Sequence, residues 1–175
     1  MADVEEAKRL YDKGLDDYRA GEYEQALDAF SRARDLYAAA GDRKSEADVL
    51  NDMGVVHVQS EEWDNAQQIL EEALTIRLAL QDRLGQGITL GNMGMMYERQ
   101  DQFDRATDTY QQAMDIFQEL GETGNEKAIA AKMNMLRIKS GAQKLVRRFS
   151  RSAGRLLGGP AEEPPPEEES DEDES

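Results

Sequence analysis

The chain has 175 residues, a length that suits one compact domain with a tail or one short array of repeats. Its 37 Asp and Glu residues against 21 Lys and Arg residues give a formal net charge of −16. This acidity argues against nucleic-acid binding, because phosphate contacts need clustered basic side chains. The sequence has no cysteine and a single histidine, His57, so Cys-ligated metals and thiol catalysis are excluded and His-rich metal sites are not expected. We expect no catalytic residues, no metal site and no cofactor.

The sequence contains no segment typical of a membrane-spanning helix or a secretory signal. No apolar stretch approaches the roughly 18 residues that spanning a bilayer requires. The first ten residues, MADVEEAKRL, are acidic and amphipathic, whereas a secretory signal has a basic region followed by an apolar one. The sequence therefore predicts a soluble, cytoplasmic protein.

An internal repeat of 40 residues is the strongest pattern in the chain. Glycine recurs at Gly14, Gly54 and Gly94. The same step relates a column of alanines and a column of aromatic residues, which are Ala26, Ala66 and Ala106, and Tyr23, Trp63 and Phe103. Several aligned columns at one period indicate a repeat protein. The glycines and alanines are expected to let paired helices approach closely, and the aromatic residues to fill the space beside each turn.

In chain order, the units extend over about 7–40, 47–80, 87–120 and from 127 to 141 onward. Each full unit has two stretches with apolar residues at helical spacing, separated by a polar turn, as in Ser60-Glu61-Glu62. No alternation of β-branched residues suggests a strand. The sequence therefore predicts an all-α fold of three full repeats and one degenerate repeat.

These residues resemble the tetratricopeptide repeat family. The third unit carries the signature best, as Leu90-x-x-Met93-Gly94-x-x-Tyr97 followed by Ala106-x-x-x-Tyr110. The resemblance implies a right-handed solenoid of helix–turn–helix units. The period of 40 residues, rather than about 34, is similar to the extended-helix subclass that contains kinesin light chain, the Leu-Gly-Asn-repeat adaptors and many bacterial adaptors.

The C-terminal part of the chain changes composition twice. A turn is predicted at Ser140-Gly141, followed by a basic amphipathic helix over 142–157. Its basic residues are Lys144, Arg147, Arg148, Arg151 and Arg155. This helix is interpreted either as a cap on the last repeat or as an element that binds an anionic membrane or an acidic partner. Residues 158–175 hold all four prolines and nine acidic residues, so they are predicted to be disordered.

The family resemblance also implies where a partner would bind, because the first helices of such arrays line a concave groove that takes an extended segment or a helix. One step after each glycine, the column Leu15, Val55, Met95 and Met135 is entirely apolar. Two interpretations remain open for this column, namely packing between repeats and an apolar binding groove. The candidate groove residues are Tyr11, Leu15, Tyr18, Asn51, Val55, Val58, Asn92, Met95, Arg99, Met135 and Ile138. In this resemblance Asn92 takes the place of an asparagine that bonds the backbone of a bound peptide.

The resulting functional hypothesis is a non-catalytic adaptor that binds a protein or peptide. Two alternatives are a self-associating scaffold, and a regulatory sensor in which a peptide displaces the chain's own acidic tail. Peripheral membrane binding is considered only for residues 142–157. The single histidine is expected to be a packed, neutral core residue.

Overall fold

The computed structural model describes the backbone of residues 2–156 and the side chains of residues 3–146 and 149. This part of the chain is entirely helical apart from short turns. The helices are α1 (Ala2–Ala20), α2 (Tyr23–Ala40), α3 (Arg43–Gln59), α4 (Trp63–Ala79), α5 (Arg83–Arg99), α6 (Phe103–Leu120) and α7 (Thr123–Leu156). Within it, the all-α prediction is confirmed. The predicted disordered tail, 158–175, lies outside the described residues.

The turns between the helices repeat with the same 40-residue period as the sequence. Inside each unit, Gly21, Glu61 and Asp101 adopt a positive φ. Between units, the positive φ occurs at Gly41, Gln81 and Gly121. A residue in this left-handed region ends one helix and reverses the chain within two or three residues. Consecutive helices therefore pack as antiparallel neighbours.

The repeated glycines sit where paired helices meet. A Cβ atom added at Gly14 would lie 2.6 Å from the Phe30 ring, and one at Gly94 would lie 2.6 Å from the Tyr110 ring. The middle unit repeats this contact between Gly54 and Leu70. The alanine column, Ala26, Ala66 and Ala106, is fully buried. The predicted role of these small residues in close helix approach is confirmed.

Apolar clusters join each unit to the next one. Phe30 and Tyr37 of the first unit pack in one cluster with Val49, Met53 and Val56 of α3. A second cluster centres on α5 and α6, and Ile129 and Leu136 of α7 belong to it. The aromatic residues that begin α2, α4 and α6 are partly buried against these clusters, as predicted for Tyr23, Trp63 and Phe103. His57 is also buried, as expected, and its Nδ1 lies 2.8 Å from Glu62 Oε2.

The prediction of a turn at Ser140-Gly141 is wrong, because α7 is continuous from Thr123 to Leu156. A glycine ends a helix when it adopts the left-handed conformation, and Gly141 is not among the residues with positive φ. Ser140 and Gly141 are residue types that can cap a new helix, yet both lie within α7. A separate capping helix over 142–157 is therefore absent from the described residues. Within the described residues, one compact unit ends at Leu136, inside α7.

Candidate protein-interaction surface

Polar side chains link the first helices of successive repeats. The Tyr11 hydroxyl on α1 donates a hydrogen bond of 2.6 Å to Asp52 Oδ2 on α3. Asn51 Oδ1 on α3 accepts from Asn92 Nδ2 on α5 at 3.0 Å, and Gln59 Oε1 accepts from Arg99 at 2.7 Å. The paired residues are 41, 41 and 40 positions apart, which is close to the repeat period. These bonds hold α1, α3 and α5 side by side.

The hydrogen bonds also fix which apolar side chains are neighbours. Val55 lies one turn after Asn51 and one turn before Gln59, and Met95 lies between Asn92 and Arg99 in the same way. Val55 and Met95 are thus brought together between two cross-helix hydrogen bonds. Leu15 follows Tyr11 by one turn and holds the same repeat position as Val55, 40 residues earlier. All three side chains are partly exposed.

The column from Leu15 to Met135 serves both packing and surface roles. Leu15 and Met95 each contact a core cluster with part of the side chain. Met135 is 54% exposed. Part of each of these side chains therefore packs between repeats or is available at the surface, so both interpretations of the column apply.

Two of the candidate groove residues are buried. Val58 is completely inaccessible to solvent and belongs to the core cluster that contains Met93 and Met96. Asn51 is 6% exposed, and its carbonyl oxygen accepts from both Asn92 and the Thr89 hydroxyl. The groove prediction is wrong for Val58, because this short side chain points into the neighbouring repeat. It is also wrong for Asn51, which joins α3 to α5.

Other polar candidates are similarly engaged in contacts within the array. Asn92 donates its amide to Asn51, so this group holds the helices in register. Burial, assisted by the bond to Asp52, raises the pKa of Tyr11 far above its ordinary value. The Tyr18 ring lies 5.9 Å from the Tyr23 ring, beside the turn of the first unit.

Two exposed apolar residues on α5 were missed by the sequence analysis. Leu84 and Ile88 are each 38% exposed. At about 100° per residue they fall on one stripe of α5 with Met95. The missed signal was their spacing of four and seven residues along one helix. We use the name first-helix face for Leu15, Val55, Leu84, Ile88 and Met95.

A buried arginine, also missed, joins the second and third units. Arg77 is 4% exposed and donates to Asp48 on α3 at 2.8 Å and to Asp82 at 3.2 Å. Asp82 in turn caps α5 by accepting from the Gly85 amide at 3.0 Å. A Cβ at Gly85 would lie 1.8 Å from Arg77 Nη1, so glycine leaves room for the guanidinium. The sequence signal was that Arg77 holds a repeat position at which the units before and after it have the aromatic residues Tyr37 and Phe117.

Two carboxylates beside this face have raised pKa values. Burial raises the pKa of Asp52, and hydrogen bonds from Tyr11 and Asn51 oppose the shift. Burial also raises the pKa of Asp48, against the nearby charges of Arg77 and Lys44. Both carboxylates are therefore partly desolvated, and Asp48 is also paired with Arg77.

The predicted basic helix is the C-terminal part of α7. Lys144 is exposed, and Ile138 is 65% exposed. The side chains of Arg147, Arg148, Arg151 and Arg155 lie outside the described residues.

The described residues contain no group of three or more His, Cys, Asp or Glu positioned to hold a metal ion. None of the described helices combines the length and the apolar composition needed to cross a membrane. The chemistry that this surface offers is non-covalent binding through apolar side chains beside carboxylates.

Comparison with known proteins identifies the repeat. Residues 5–79 and residues 89–122 match two models described as tetratricopeptide repeat, and these spans cover more than half of the chain. Among curated proteins, no sequence matches the chain significantly.

Solved structures with the same fold come from a plant and two bacteria. The Arabidopsis OM64 TPR domain is 14% identical with a TM-score of 0.58, and the match covers 76% of this chain and 98% of that one. Aspartyl phosphate phosphatase F from Bacillus subtilis is 16% identical with a TM-score of 0.65, over 90% of this chain and 46% of that one. BtubC (BKLC) from P. vanneervenii is 18% identical with a TM-score of 0.59, over 97% and 71%. At these identities the likeness concerns the fold alone.

Proposed function

Because the chain belongs to the tetratricopeptide repeat family, we propose that it is a non-catalytic adaptor whose first-helix face binds a segment of a partner protein. The family is a protein-interaction module, which supports a protein or peptide as the ligand. The helices that begin at Tyr23, Trp63 and Phe103 keep the 40-residue period, and we include the chain in the extended-helix subclass on that basis.

One observation carries this proposal, namely the accessible apolar stripe on α5. Leu84 and Ile88 are both partly exposed to solvent. Contact with a partner would remove this apolar surface from water, which is favourable. Met95 and Val55 continue the apolar surface toward α3, between hydrogen bonds that hold the two helices in place. A preorganised surface of this kind binds an apolar segment without first rearranging.

The carboxylates beside the stripe indicate the chemistry of the partner. Asp48 and Asp52 lie on α3, and Asp52 takes part in the hydrogen bond that joins α1 to α3. Asp48 is already paired with Arg77, so the negative charge available to a partner comes from Asp52 and from the net charge of −16. A segment with apolar side chains flanked by Lys or Arg complements this charge and the apolar stripe. We therefore propose a basic, amphipathic helix or extended segment as the partner.

The test uses peptides selected from a random display library with the full-length protein as bait. Affinities of the selected peptides are then measured by fluorescence anisotropy for the wild type and for Met95→Glu. A new carboxylate at position 95 is hydrated in the free protein but must be desolvated in the complex. We expect a loss of affinity of at least about tenfold, which corresponds to roughly 1.4 kcal/mol.

The matched control is Leu78→Glu on α4, where the parent side chain is 57% exposed. This variant should keep the affinity of the wild type, and both variants should keep its melting temperature. If Met95→Glu folds normally and binds the same peptides equally well, the first-helix face is not the binding surface. If it melts far below the wild type, Met95 is a packing residue.

Light scattering at several concentrations tests the scaffold alternative, because a self-associating array gains mass as concentration rises.

A further inference from the structure

The C-terminal part of α7 exposes large apolar side chains. Ile138 is 65%, Leu145 55%, Val146 63% and Phe149 67% exposed. On a helix, Ile138, Leu145 and Phe149 fall within an arc of about 40°, and Val146 lies about 60° beyond it. Isolated apolar residues on a surface are common, but an aligned stripe along one helix indicates a docking face.

The charge on α7 after Glu126 has one sign only. No Asp or Glu occurs from residue 127 to residue 161, and seven Lys or Arg residues occur from 137 to 155. Arg137 and Lys144 are exposed, and each lies about 100–120° from Ile138 around the helix. The helix therefore presents an apolar stripe with positive charge beside it.

The acidic tail complements the charge of this helix but not its apolar stripe. Residues 158–175 supply nine carboxylates, and apart from prolines and glycines their only apolar residue is Ala161. Such a segment pairs with Lys and Arg but cannot cover Leu145 and Phe149.

A second copy of the helix complements the stripe but not the charge. Two such helices packed along their stripes would place basic side chains near each other, with no Asp or Glu in residues 127–156 of either copy to pair with them. Like charges across a helix–helix interface are destabilising. The occupant that satisfies both features must combine an apolar interior with a negatively charged surface.

We propose that residues 137–156 bind the surface of an anionic lipid bilayer, with Ile138, Leu145 and Phe149 inserted at the headgroup boundary. An amphipathic helix with Lys and Arg beside a face of Leu and Phe lies in this interface, and its affinity depends on both buried apolar area and anionic lipid. Each basic residue near such a surface increases partitioning roughly fivefold. The proposal concerns α7 and does not depend on peptide binding by the first-helix face.

The test is cosedimentation of the full-length protein with vesicles. One set contains phosphatidylcholine alone, and the other contains about 30% phosphatidylserine in addition, at low ionic strength. We expect binding to the anionic vesicles only, and a marked decrease as salt is raised above about 0.1 M, where the Debye length is near 10 Å. The double variant Leu145→Glu/Phe149→Glu should lose at least about tenfold in binding, because it removes apolar area and adds two negative charges.

The matched control is Leu78→Glu, which replaces an equally exposed leucine on α4 and should bind vesicles like the wild type. Circular dichroism should give the same melting temperature for all three proteins. Equal binding to neutral and anionic vesicles, or no binding to either, would overturn the proposal. A dimer in light scattering that the double variant dissociates would overturn it in favour of a second copy as the occupant.

Discussion

Asp52 illustrates how a single polar residue is used in this array. Its carboxylate accepts from Tyr11 of the preceding repeat and from its neighbour Asn51. Burial raises its pKa, and these hydrogen bonds counteract the shift without cancelling it. The residue thus joins α1 to α3 while carrying a charge that is partly desolvated. Because the two hydrogen bonds favour the ionised form and burial disfavours it, the stability contributed by Asp52 must depend on pH.

The first prediction at this scale concerns Asp52→Asn, which removes the titration. The pKa of Asp52 is higher in the folded than in the unfolded state. The contribution of Asp52 to the free energy of unfolding is therefore largest at low pH, and it is lost as pH rises through the folded pKa. The free energy of unfolding of the wild type, minus that of Asp52→Asn, should therefore increase as pH falls from about 8 toward 4. Urea titrations at several pH values measure this difference.

The exposed residue Asp28, which lies 3.7 Å from Arg32, provides the control. The change Asp28→Asn makes the same chemical replacement at an exposed site and measures the effect of the replacement itself at each pH. A difference for Asp52→Asn that is flat, or that decreases toward low pH, would show that its hydrogen bonds dominate over burial.

Single residues also mark the limit of what the sequence could predict about the surface. Val55 and Val58 are both apolar residues of α3, yet one is partly exposed and the other is completely buried. The difference depends on the rotation of α3 relative to α5, which the Asn51–Asn92 and Gln59–Arg99 hydrogen bonds fix. Repeat columns give the position along a helix, but they do not separate two side chains that lie only about one sixth of a turn apart, as Val55 and Val58 do.

At the scale of helices and turns, the sequence was most informative where the repeat period applied. The glycine columns and the polar turns predicted the three full helix pairs, because a close contact and a left-handed residue recur every 40 residues. The same reasoning failed for α7. There the repeat pattern predicted a turn at Ser140-Gly141, two residue types that suit a turn, but Gly141 does not adopt the left-handed conformation and the helix continues.

The turns between units suggest a paired experiment. Gly41 and Gln81 occupy equivalent positions with φ of 73° and 57°. A non-glycine residue in this left-handed region destabilises the folded state by about 1 kcal/mol. Glycine avoids this strain, but part of the gain in stability is lost because glycine makes the unfolded chain more flexible. We expect Gln81→Gly to raise the melting temperature by up to about 3 °C and Gly41→Gln to lower it by a similar amount. Thermal unfolding by circular dichroism measures both. Shifts of the same sign in the two variants would contradict the assignment of equivalent turns.

At the scale of the whole array, each helix pair buries its apolar surface against its neighbours. The core cluster of α1 and α2 includes buried residues of α3 and is contacted by the partly buried Ile69 of α4, whereas the cluster of α5 and α6 includes buried residues of α3, α4 and α7. Stability in such arrays is approximately the sum of the stabilities of the units and of the interfaces between them. An identical local defect should therefore have different consequences in a terminal and in an internal pair.

Gly14 and Gly94 provide this identical defect. In each case an added Cβ would lie 2.6 Å from an aromatic ring, of Phe30 or of Tyr110, so alanine forces the paired helices apart at a cost of about 1–3 kcal/mol. Hydrogen exchange should show faster exchange in α1 and α2 alone for Gly14→Ala, but from α3 to the part of α7 before residue 137 for Gly94→Ala. Gly124→Ala is the control, because nothing lies within 4 Å of its added Cβ. Exchange that rises uniformly along the chain in both variants would mean that residues 1–136 unfold as one unit, and the additive description of the array would be wrong.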